Sequence, residues 1–471
     1  MASDPAKMAT TADSPAASPR PANRLQTTFR ALTHRNFQLF FSGQLISLIG
    51  TWMQNVAQAW LVYRKTGSSL LLGTIGFASQ FPVFLVAPIG GTVADRYNRR
   101  KLVIATQTSS MVLALILAAL TLSQRVQIWH IFVLAALLGV VSAFDIPARQ
   151  AFMVEMVGKE DLLNAIALNS SMFNGARILG PAIAGILVAG IGEGWCFFAN
   201  GVSYVAVIIG LLLMRVEEHR GRTEGTPLSN IVEGFRYVQR TIPIRNILLL
   251  LGLVSLVAMP YAVLMPIFAD RILHGGARGL GILMGATGVG ALLAGLTLAT
   301  RQRVRGLGRI IGVAAVGFSL SLIAFAWSRS FALSLMLLVP VGYFMMLEST
   351  ASNTLIQAMV ADHFRGRVMA VYSMMFMGMA PFGSFFAGAL ASRLGAPLTL
   401  TIGAAVCVVG GALFLFRLPV MRIEARRLIV AQGLAGGDPP QEIATAGMAS
   451  EPFSLEQHRM TLDELTNGTG K

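Results

Sequence analysis

Long apolar runs separated by short polar segments form most of the chain. A membrane-spanning α-helix needs about 20 mostly apolar residues, and twelve stretches satisfy this requirement. The expected spans are 37–63, 70–93, 102–122, 128–147, 164–191, 195–214, 246–269, 279–299, 309–327, 331–354, 368–391 and 397–416. The first is the least hydrophobic because it holds several amides. This pattern predicts an all-α membrane protein with twelve transmembrane helices.

A polar and basic segment in the middle of the chain divides the spans into two groups of six. Within this segment apolar residues recur at helical spacing, which predicts an amphipathic helix on the membrane surface. The two groups also repeat features, since Gly180-Pro181 in span five and Ala380-Pro381 in span eleven occupy corresponding positions. Repeated halves that meet at a central interface are typical of transporters, and the alternative is a coincidence among similar apolar helices.

These observations divide the chain into five parts. We expect a disordered cytoplasmic tail over 1–35, an N-terminal six-helix bundle over 36–214, a cytoplasmic linker with the amphipathic helix over 215–245, a C-terminal six-helix bundle over 246–418 and a largely disordered cytoplasmic tail over 419–471. The N-terminal tail lacks the apolar core of a signal peptide.

Composition and charge exclude several classes of protein. Charged residues make up 13% of the chain, against roughly 25% in soluble domains, and the mean hydropathy is +0.65. With both termini in the cytoplasm, 29 of the 37 Lys and Arg residues lie on the inner side, seven on the outer side and Arg177 within a span. The net charge of +15 therefore fits the positive-inside rule better than nucleic-acid binding.

No residue pattern indicates catalysis, a metal or a cofactor. Cys196 and Cys407 lie far apart in apolar segments, and no cluster of His, Cys, Asp or Glu has metal-ligand spacing. The chain also has no Walker A pattern, so it has no recognisable ATPase engine. We expect a protein that is not an enzyme and that requires no cofactor.

The loop between spans two and three carries a charged motif that begins at Gly91 and ends in three basic residues. It resembles the cytoplasmic loop motif of the major facilitator superfamily, Gly-x-x-x-Asp-Arg/Lys-x-Gly-Arg-Arg. The matching positions are Gly91, Asp95, Arg96, Arg99 and Arg100.

One position of this loop departs from the motif, because Asn98 replaces a glycine. Asn also tolerates a left-handed turn, so the departure is mild. We expect Gly91 to permit close helix approach, and Asp95 to face basic partners and the positive N-terminus of a neighbouring helix. The loop would then help to hold the inner side closed. The alternative is a simple positive-inside anchor, which would account for the basic residues but not for Gly91 and Asp95.

A second set of residues resembles the enterobactin-exporter-like and macrolide-efflux-like branch of the same superfamily, which contains drug:proton antiporters. Gly180-Pro181-x-x-x-Gly185 is similar to the antiporter motif of the fifth helix, although Ala184 stands where a first glycine is often found. The resemblance implies two pseudo-symmetric six-helix bundles, a central cavity with alternating access, and export of drugs or siderophore-like molecules.

Charges inside a membrane are costly, and three are therefore functional candidates. Arg177 lies near the middle of span five and can bind an anionic group, form a structural ion pair or donate hydrogen bonds to helix carbonyls. Glu348 lies deep in span ten and Asp145 near the cytoplasmic end of span four, which makes both candidates for proton coupling. The structural alternatives are a carboxyl group hydrogen-bonded between helices for Glu348, and an ion pair with Arg149 or the charged loop for Asp145.

Amide side chains within the spans are candidates for substrate contact or for holding helices together. The resemblance to the superfamily implies that spans one and ten line the central cavity, which favours substrate contact. The residues of interest are Gln54, Asn55, Gln58, Asn169 and Asn353, with Arg177 on the same helix face as Asn169.

These features together predict a secondary transporter that exports small amphiphilic molecules across the cytoplasmic membrane, with protons as the coupling ion. An importer or facilitator of the same fold remains an alternative, because spacing does not reveal direction. A membrane-embedded enzyme or lipid-handling protein would need a polar catalytic cluster, and none is found. A non-transporting assembly or sensor subunit is the third alternative. The expected partners are a small-molecule substrate, protons and the lipid bilayer.

Overall fold

The computed structural model describes residues 30–158, 160–215, 227–299 and 306–432. A short 3-10 turn, Arg30–Thr33, precedes the first helix. The helices are α1 (Arg35–Thr66), α2 (Ser69–Arg96), α3 (Arg99–Leu122), α4 (Ile128–Val157), α5 (Leu162–Ile191), α6 (Glu193–Leu213), α7 (Pro227–Arg240), α8 (Ile242–Val257), α9 (Tyr261–Ile267), α10 (Gly276–Ala299), α11 (Leu307–Trp327), α12 (Phe331–Met359), α13 (Asp362–Phe376), α14 (Ala380–Leu394) and α15 (Ala396–Ala431).

Each of the twelve predicted spans coincides with helical structure in the described ranges. Eleven stretches are long and apolar enough to cross a membrane. The remaining span is α1, which has 32 residues but carries buried amides such as Gln44 and Gln54. The sequence therefore predicted the helical membrane fold correctly, including the polar character of the first span.

Two spans are broken near their middles, which the sequence pattern did not predict. Span seven consists of α8 and α9, separated at Met259 and Pro260 and followed by a π-helical turn, Phe268–Ile272. Span eleven consists of α13 and α14, separated just before Pro381. The two breaks are joined, because the Ser255 hydroxyl on α8 donates a 2.5 Å hydrogen bond to the carbonyl oxygen of Phe376 at the end of α13. This bond satisfies a carbonyl that the break would otherwise leave unpaired in the membrane.

The halves α1–α6 and α8–α15 meet through glycines on two equivalent helix pairs. On α2 and α14, a Cβ atom at Gly388 would lie 2.8 Å from the Cα of Gly73. On α5 and α10, a Cβ at Gly281 would lie 2.7 Å from the Cα of Gly185. Span two against span eleven and span five against span eight are related by the repeat, so the contacts support pseudo-symmetric halves.

Both glycine contacts lie toward one end of the molecule, which carries the turns at Gly67, Gly192 and Gly395 and is the predicted outer end. Close contacts between the halves continue toward the middle, where a Cβ at Gly288 on α10 would lie 3.1 Å from the Cα of Ile178 on α5. Near the inner ends of α2 and α10, Gly91 and Gly295 have no atom within 4 Å of a Cβ position.

The linker helix α7 packs on the inner segment of the broken span eleven. Glu233 forms a 2.7 Å ion pair with Arg367 on α13. The ring of Tyr237 stacks on Phe364 with centroids 4.9 Å apart. At Gly234 the two backbones approach closely, and a Cβ would meet the carbonyl oxygen of Arg367. The amphipathic helix expected within 215–245 thus lies against the C-terminal half.

The ends of the chain differ in part from the predicted boundaries. Helix α15 continues to Ala431, beyond the boundary at 418, so the first residues assigned to a disordered tail are helical. A helix rises about 1.5 Å per residue, and about 20 residues cross the membrane core, so the end of α15 extends past that core. The rest of the tail and residues 1–29 lie outside the described ranges.

Gly90, rather than Gly91, is the glycine that lets α2 approach another helix. A Cβ at Gly90 would meet the backbone carbonyl of Ala143 on α4, whereas a Cβ at Gly91 would meet nothing within 4 Å. The expectation that Gly91 permits close packing is wrong for this structure. The motif glycine and the packing glycine are neighbours in sequence, but they face different sides of the helix.

We predict that Gly90→Ala destabilises the protein by about 1–3 kcal/mol, because the added methyl group must displace a backbone. Gly91→Ala is the matched control, and we expect it to be neutral or slightly stabilising, since Ala is the better helix former. Thermal unfolding of both variants in detergent is the measurement. Equal effects of the two substitutions would contradict the packing described for α2 and α4.

Candidate functional site at the interface of the two halves

Arg177 lies where the two halves face each other in the middle of the molecule. Its helix α5 belongs to the N-terminal half, while its Nη2 lies 3.9 Å from the sulfur of Met345 on α12 of the other half. The guanidinium carbon lies 5.8 Å from the ring centroid of Trp52 on α1. The ring of Phe173 packs edge-on against Trp52 at 5.6 Å. Arg177 is thus part of an aromatic and thioether surface contributed by three helices.

The break in span seven brings a tyrosine to the same place. Tyr261 is the first residue of α9 and is buried. Its hydroxyl lies close enough to interact with both Arg177 and Thr287 on α10. The sequence analysis missed Tyr261, because a single tyrosine in a long apolar run gives no signal until the helix break is known.

The predicted amide residues occupy different environments. Gln54 is buried and accepts a 2.7 Å hydrogen bond from Asn200 on α6, so it joins two helices of the N-terminal half. Asn55 is exposed, and Gln58 and Asn169 are half-buried. Asn353 accepts a 2.5 Å hydrogen bond from Gln357, one turn along α12. Gln54 is therefore engaged within the N-terminal half, whereas Asn55, Gln58, Asn169 and Asn353 have exposed or half-buried side chains that a substrate could contact.

Asp145 is held by three partners inside the N-terminal half. Its Oδ1 accepts hydrogen bonds from Thr106 at 2.8 Å and from Gln107 at 2.9 Å. Its Oδ2 lies 3.4 Å from a guanidinium nitrogen of Arg149. The structural alternative considered for Asp145 therefore describes its surroundings well.

Glu348 has the opposite environment. Its side chain is 1% exposed, and its Oε1 has no hydrogen-bond partner in the part of the chain that the structure describes. The same holds for the hydroxyl of Ser352, one helical turn away. The neighbouring groups are Tyr372 on α13 and Cys407 on α15, so the carboxyl group lies inside the C-terminal half. A buried carboxyl without a partner is costly in its charged form.

The charged loop stabilises the inner end of the N-terminal half. Arg99 lies 2.9 Å from Glu155 on α4 and 3.8 Å from Asp95. Arg100 donates hydrogen bonds of 2.7 and 2.8 Å to the carbonyl oxygens of Leu211 and Leu212, which end α6. These contacts join helices within one half, and Arg96 is exposed. A gating role for the loop remains a prediction.

Asn98 does not adopt the left-handed turn considered for it. Its φ is −59°, and its side chain caps helix α3 by accepting a 3.0 Å hydrogen bond from the backbone N–H of Lys101. Asn is among the preferred capping residues. The departure from the family motif thus provides a helix cap.

The fifth-helix motif serves packing on two sides. A Cβ at Gly180 would clash with Trp52, so this glycine lets α5 approach α1. The carbonyl oxygen of Pro181 and the Cα of Gly185 both lie against Gly281 of the C-terminal half. Through these three residues, helix α5 contacts its own half and the opposite half at once.

A polar contact joins the halves at the predicted outer end, and the sequence analysis missed it. The hydroxyl of Tyr63 at the end of α1 donates a 2.9 Å hydrogen bond to Oδ2 of Asp270 in the π-helical turn. Arg271 lies over the Tyr63 ring at 5.8 Å and donates a 3.3 Å hydrogen bond to the carbonyl oxygen of Gly67. These residues lie at span ends, where polar side chains are common and carry little sequence signal.

Comparison with known sequences gives a consistent result. The family model described as "Transmembrane secretion effector" matches residues 26–435. The staphyloferrin A transporter of Staphylococcus aureus is 27% identical over 77% of this chain and 91% of that protein. The multidrug efflux pump Tap of Mycolicibacterium fortuitum is 28% identical, with coverage of 74% and 87%. The enterobactin exporter EntS of Escherichia coli O157:H7 is 23% identical, with coverage of 88% and 97%.

Solved structures show the same fold at low sequence identity. The nucleoside transporter NupG superposes with a TM-score of 0.66 at 12% identity, covering 82% of this chain and 98% of NupG. A POT family transporter in complex with a thioalcohol-conjugated peptide gives a TM-score of 0.69 at 10% identity, with coverage of 82% and 96%. These similarities establish the transporter fold of two helical bundles.

We predict that Tyr63→Phe shifts the outer end toward its open form by about tenfold, because a hydrogen bond to a charged group is lost. The measurement is the labelling rate of a Val263→Cys variant by a membrane-impermeant maleimide added from outside. Val263 lies behind the outer contact, beside Gly76. Tyr204→Phe, within the N-terminal half, is the control. An unchanged labelling rate would show that Tyr63 and Asp270 do not close this end.

We predict that Asp95→Asn reduces transport at least tenfold while the protein still inserts and folds, because Arg99 loses a charged neighbour at the moving inner end. Glu160→Gln removes an exposed carboxyl at the same end and should transport normally. Uptake into inverted membrane vesicles, normalised to folded protein, is the measurement. Normal flux through Asp95→Asn would rule out the gating role.

Proposed function

Because the chain belongs to the Transmembrane secretion effector family of the major facilitator superfamily, we propose that it exports small amphiphilic molecules of the drug or siderophore kind. The proposed route crosses the cytoplasmic membrane by alternating access and is driven by proton antiport. The protein itself is a multi-pass membrane transporter for small-molecule substrates and not an enzyme. We further propose that both termini lie in the cytoplasm, because the distribution of Lys and Arg favours this orientation.

The observation that carries the proposal is the agreement among three relatives from different bacteria. Two are named as exporters or efflux pumps, and two are named for siderophores. The alignments cover most of each relative, so the likeness extends over both bundles and the interface between them. A likeness confined to one bundle would support the fold but not a common transport route.

The geometry supports alternating access. The halves touch at the predicted outer end through the glycine pairs and the Tyr63–Asp270 contact. Arg177 and its aromatic neighbours lie between the halves, where a substrate would bind before the outer end opens. Binding at mid-membrane, between two halves that rock about the site, is the general mode of such transporters.

Glu348 is the carboxyl group best suited to carry a proton. It lies in the half that contains both broken spans, and the described ranges hold no cation within ion-pair distance of it. A buried carboxyl of this kind is more stable when protonated, whereas access to water in another conformation would release the proton. Asp145 is paired with Arg149 and accepts two hydrogen bonds, so it is the weaker candidate.

The test of the proposed function uses purified protein in liposomes with an imposed pH gradient. A panel of siderophores, macrolides and dyes is assayed for flux while proton movement is followed in parallel. We expect proton counterflow that depends on the presence of a transported compound. Flux without proton movement would contradict antiport and indicate another coupling ion or facilitated diffusion.

We predict that Glu348→Gln abolishes proton-driven exchange but preserves substrate binding, because the amide keeps the shape of the side chain and cannot release a proton. Asp145→Asn should retain proton dependence and instead lower the thermal stability, since it weakens the pair with Arg149. Glu424→Gln, on the inner extension of α15, is a neutral control. Proton-dependent flux through Glu348→Gln would rule out Glu348 as the obligatory carrier.

A further inference from the structure

Arg177 carries a charge at mid-membrane depth, and no carboxylate in the described part of the chain lies within ion-pair distance of it. Its polar contacts on the opposite half are the hydroxyl of Tyr261 and the sulfur of Met345, and both groups are uncharged. An arginine side chain does not lose its proton in proteins. These uncharged groups and the Trp52 ring compensate the charge only in part, so a bound anion would stabilise it further.

The acids nearest to mid-membrane are engaged or remote. Asp145 is paired with Arg149. Glu348 lies inside the C-terminal half beside Tyr372 and Cys407, not beside Arg177. Asp270 accepts the hydrogen bond from Tyr63 at the predicted outer end. A structural ion pair, one of the two structural alternatives for Arg177, thus has no partner among these residues.

The side chains around Arg177 define what kind of molecule fits. Trp52 lies beside the guanidinium at 5.8 Å, and Phe173 is 45% exposed next to it, so a large aromatic surface adjoins the charge. Tyr261 and Met345 belong to the opposite half. The planar guanidinium fork matches a carboxylate through two parallel hydrogen bonds. A ligand with an anionic group attached to an apolar or aromatic body would contact all of these elements.

We infer that the space in front of Arg177 is a subsite for the carboxylate of an amphiphilic organic acid, with Trp52 and Phe173 against the apolar part of the same molecule. The inference deepens the proposed function, on which it rests, by naming the chemistry of the transported compounds. Because Arg177 and Tyr261 lie on different halves, occupation of the subsite links the two halves at the point about which they move.

The test compares two probes of the same shape, 1-naphthoate and uncharged 1-naphthamide. Binding of each to the full-length protein in nanodiscs is measured by equilibrium dialysis, without an ion gradient and with uptake by empty nanodiscs subtracted. We expect 1-naphthoate to bind about tenfold more tightly or better, as a charged hydrogen bond supplies. Equal affinities for the two probes would overturn the inference.

Variants then assign the preference to the residue. Arg177→Gln should abolish the preference while changing 1-naphthamide binding by no more than about twofold, and Arg177→Lys should retain part of it. Arg393→Gln, an exposed arginine on α14, should keep the full preference. Trp52→Leu should weaken the binding of both probes by the same factor. A preference that survives in Arg177→Gln, or that is complete in Arg177→Lys, would contradict the assignment.

The experiment remains informative if Arg177→Gln does not fold, because the comparison of the two probes on the wild-type protein and on Arg177→Lys still decides the outcome. Failure of proton antiport is distinguishable from failure of the subsite, since binding is measured at equilibrium with no gradient. A protein that prefers 1-naphthoate but moves no protons would refute the coupling and retain the subsite. Proton-coupled flux of neutral compounds without that preference would do the reverse.

Discussion

The structure depends on close backbone contact between its two halves at the predicted outer end. Gly73 with Gly388, and Gly185 with Gly281, bring four helices together where any larger residue would force them apart. In a membrane the hydrophobic effect does not favour helix–helix contact over helix–lipid contact. Close packing of small residues therefore supplies much of the association between helices. The outer end is therefore closed mainly by the close packing of glycines. The hydrogen bond between Tyr63 and Asp270 adds a polar contact that can be broken. Such contacts would stabilise the conformation with a closed outer end without preventing the conformation with an open one.

The broken spans suit the movement that alternating access would require. An unbroken helix would carry a displacement along its whole length, whereas spans seven and eleven can bend between their segments. The bond from Ser255 to Phe376 joins the two breaks, and the linker helix α7 is attached to the inner segment α13. Movement of α13 would thus be transmitted to the linker that connects the halves. The break in span seven directly precedes Tyr261, whose hydroxyl lies close to Arg177.

Much of the fold was readable from the sequence, because long apolar runs leave few alternatives to membrane helices. The pairing of Asp145 with Arg149 was also predictable, since one helical turn separates them. The breaks were not, because apolar residues continue through Met259 and a proline is tolerated in a membrane helix. The packing role belonged to Gly90 rather than Gly91, because helix rotation is not encoded in a local motif. Contacts between distant spans, such as Tyr63 with Asp270, depend on tertiary structure alone.

The central claim is that the halves rock about a mid-membrane site, so that the outer and inner ends open in alternation. The direct measurement is the pair of distances between spin labels, one pair at Arg125→Cys and Arg329→Cys and one at Lys101→Cys and Arg426→Cys. Both native cysteines are buried and should not label. The account predicts that conditions which lengthen the outer distance shorten the inner one, and that Tyr63→Phe favours the same change. Two distances that stay fixed, or that lengthen together, would contradict it.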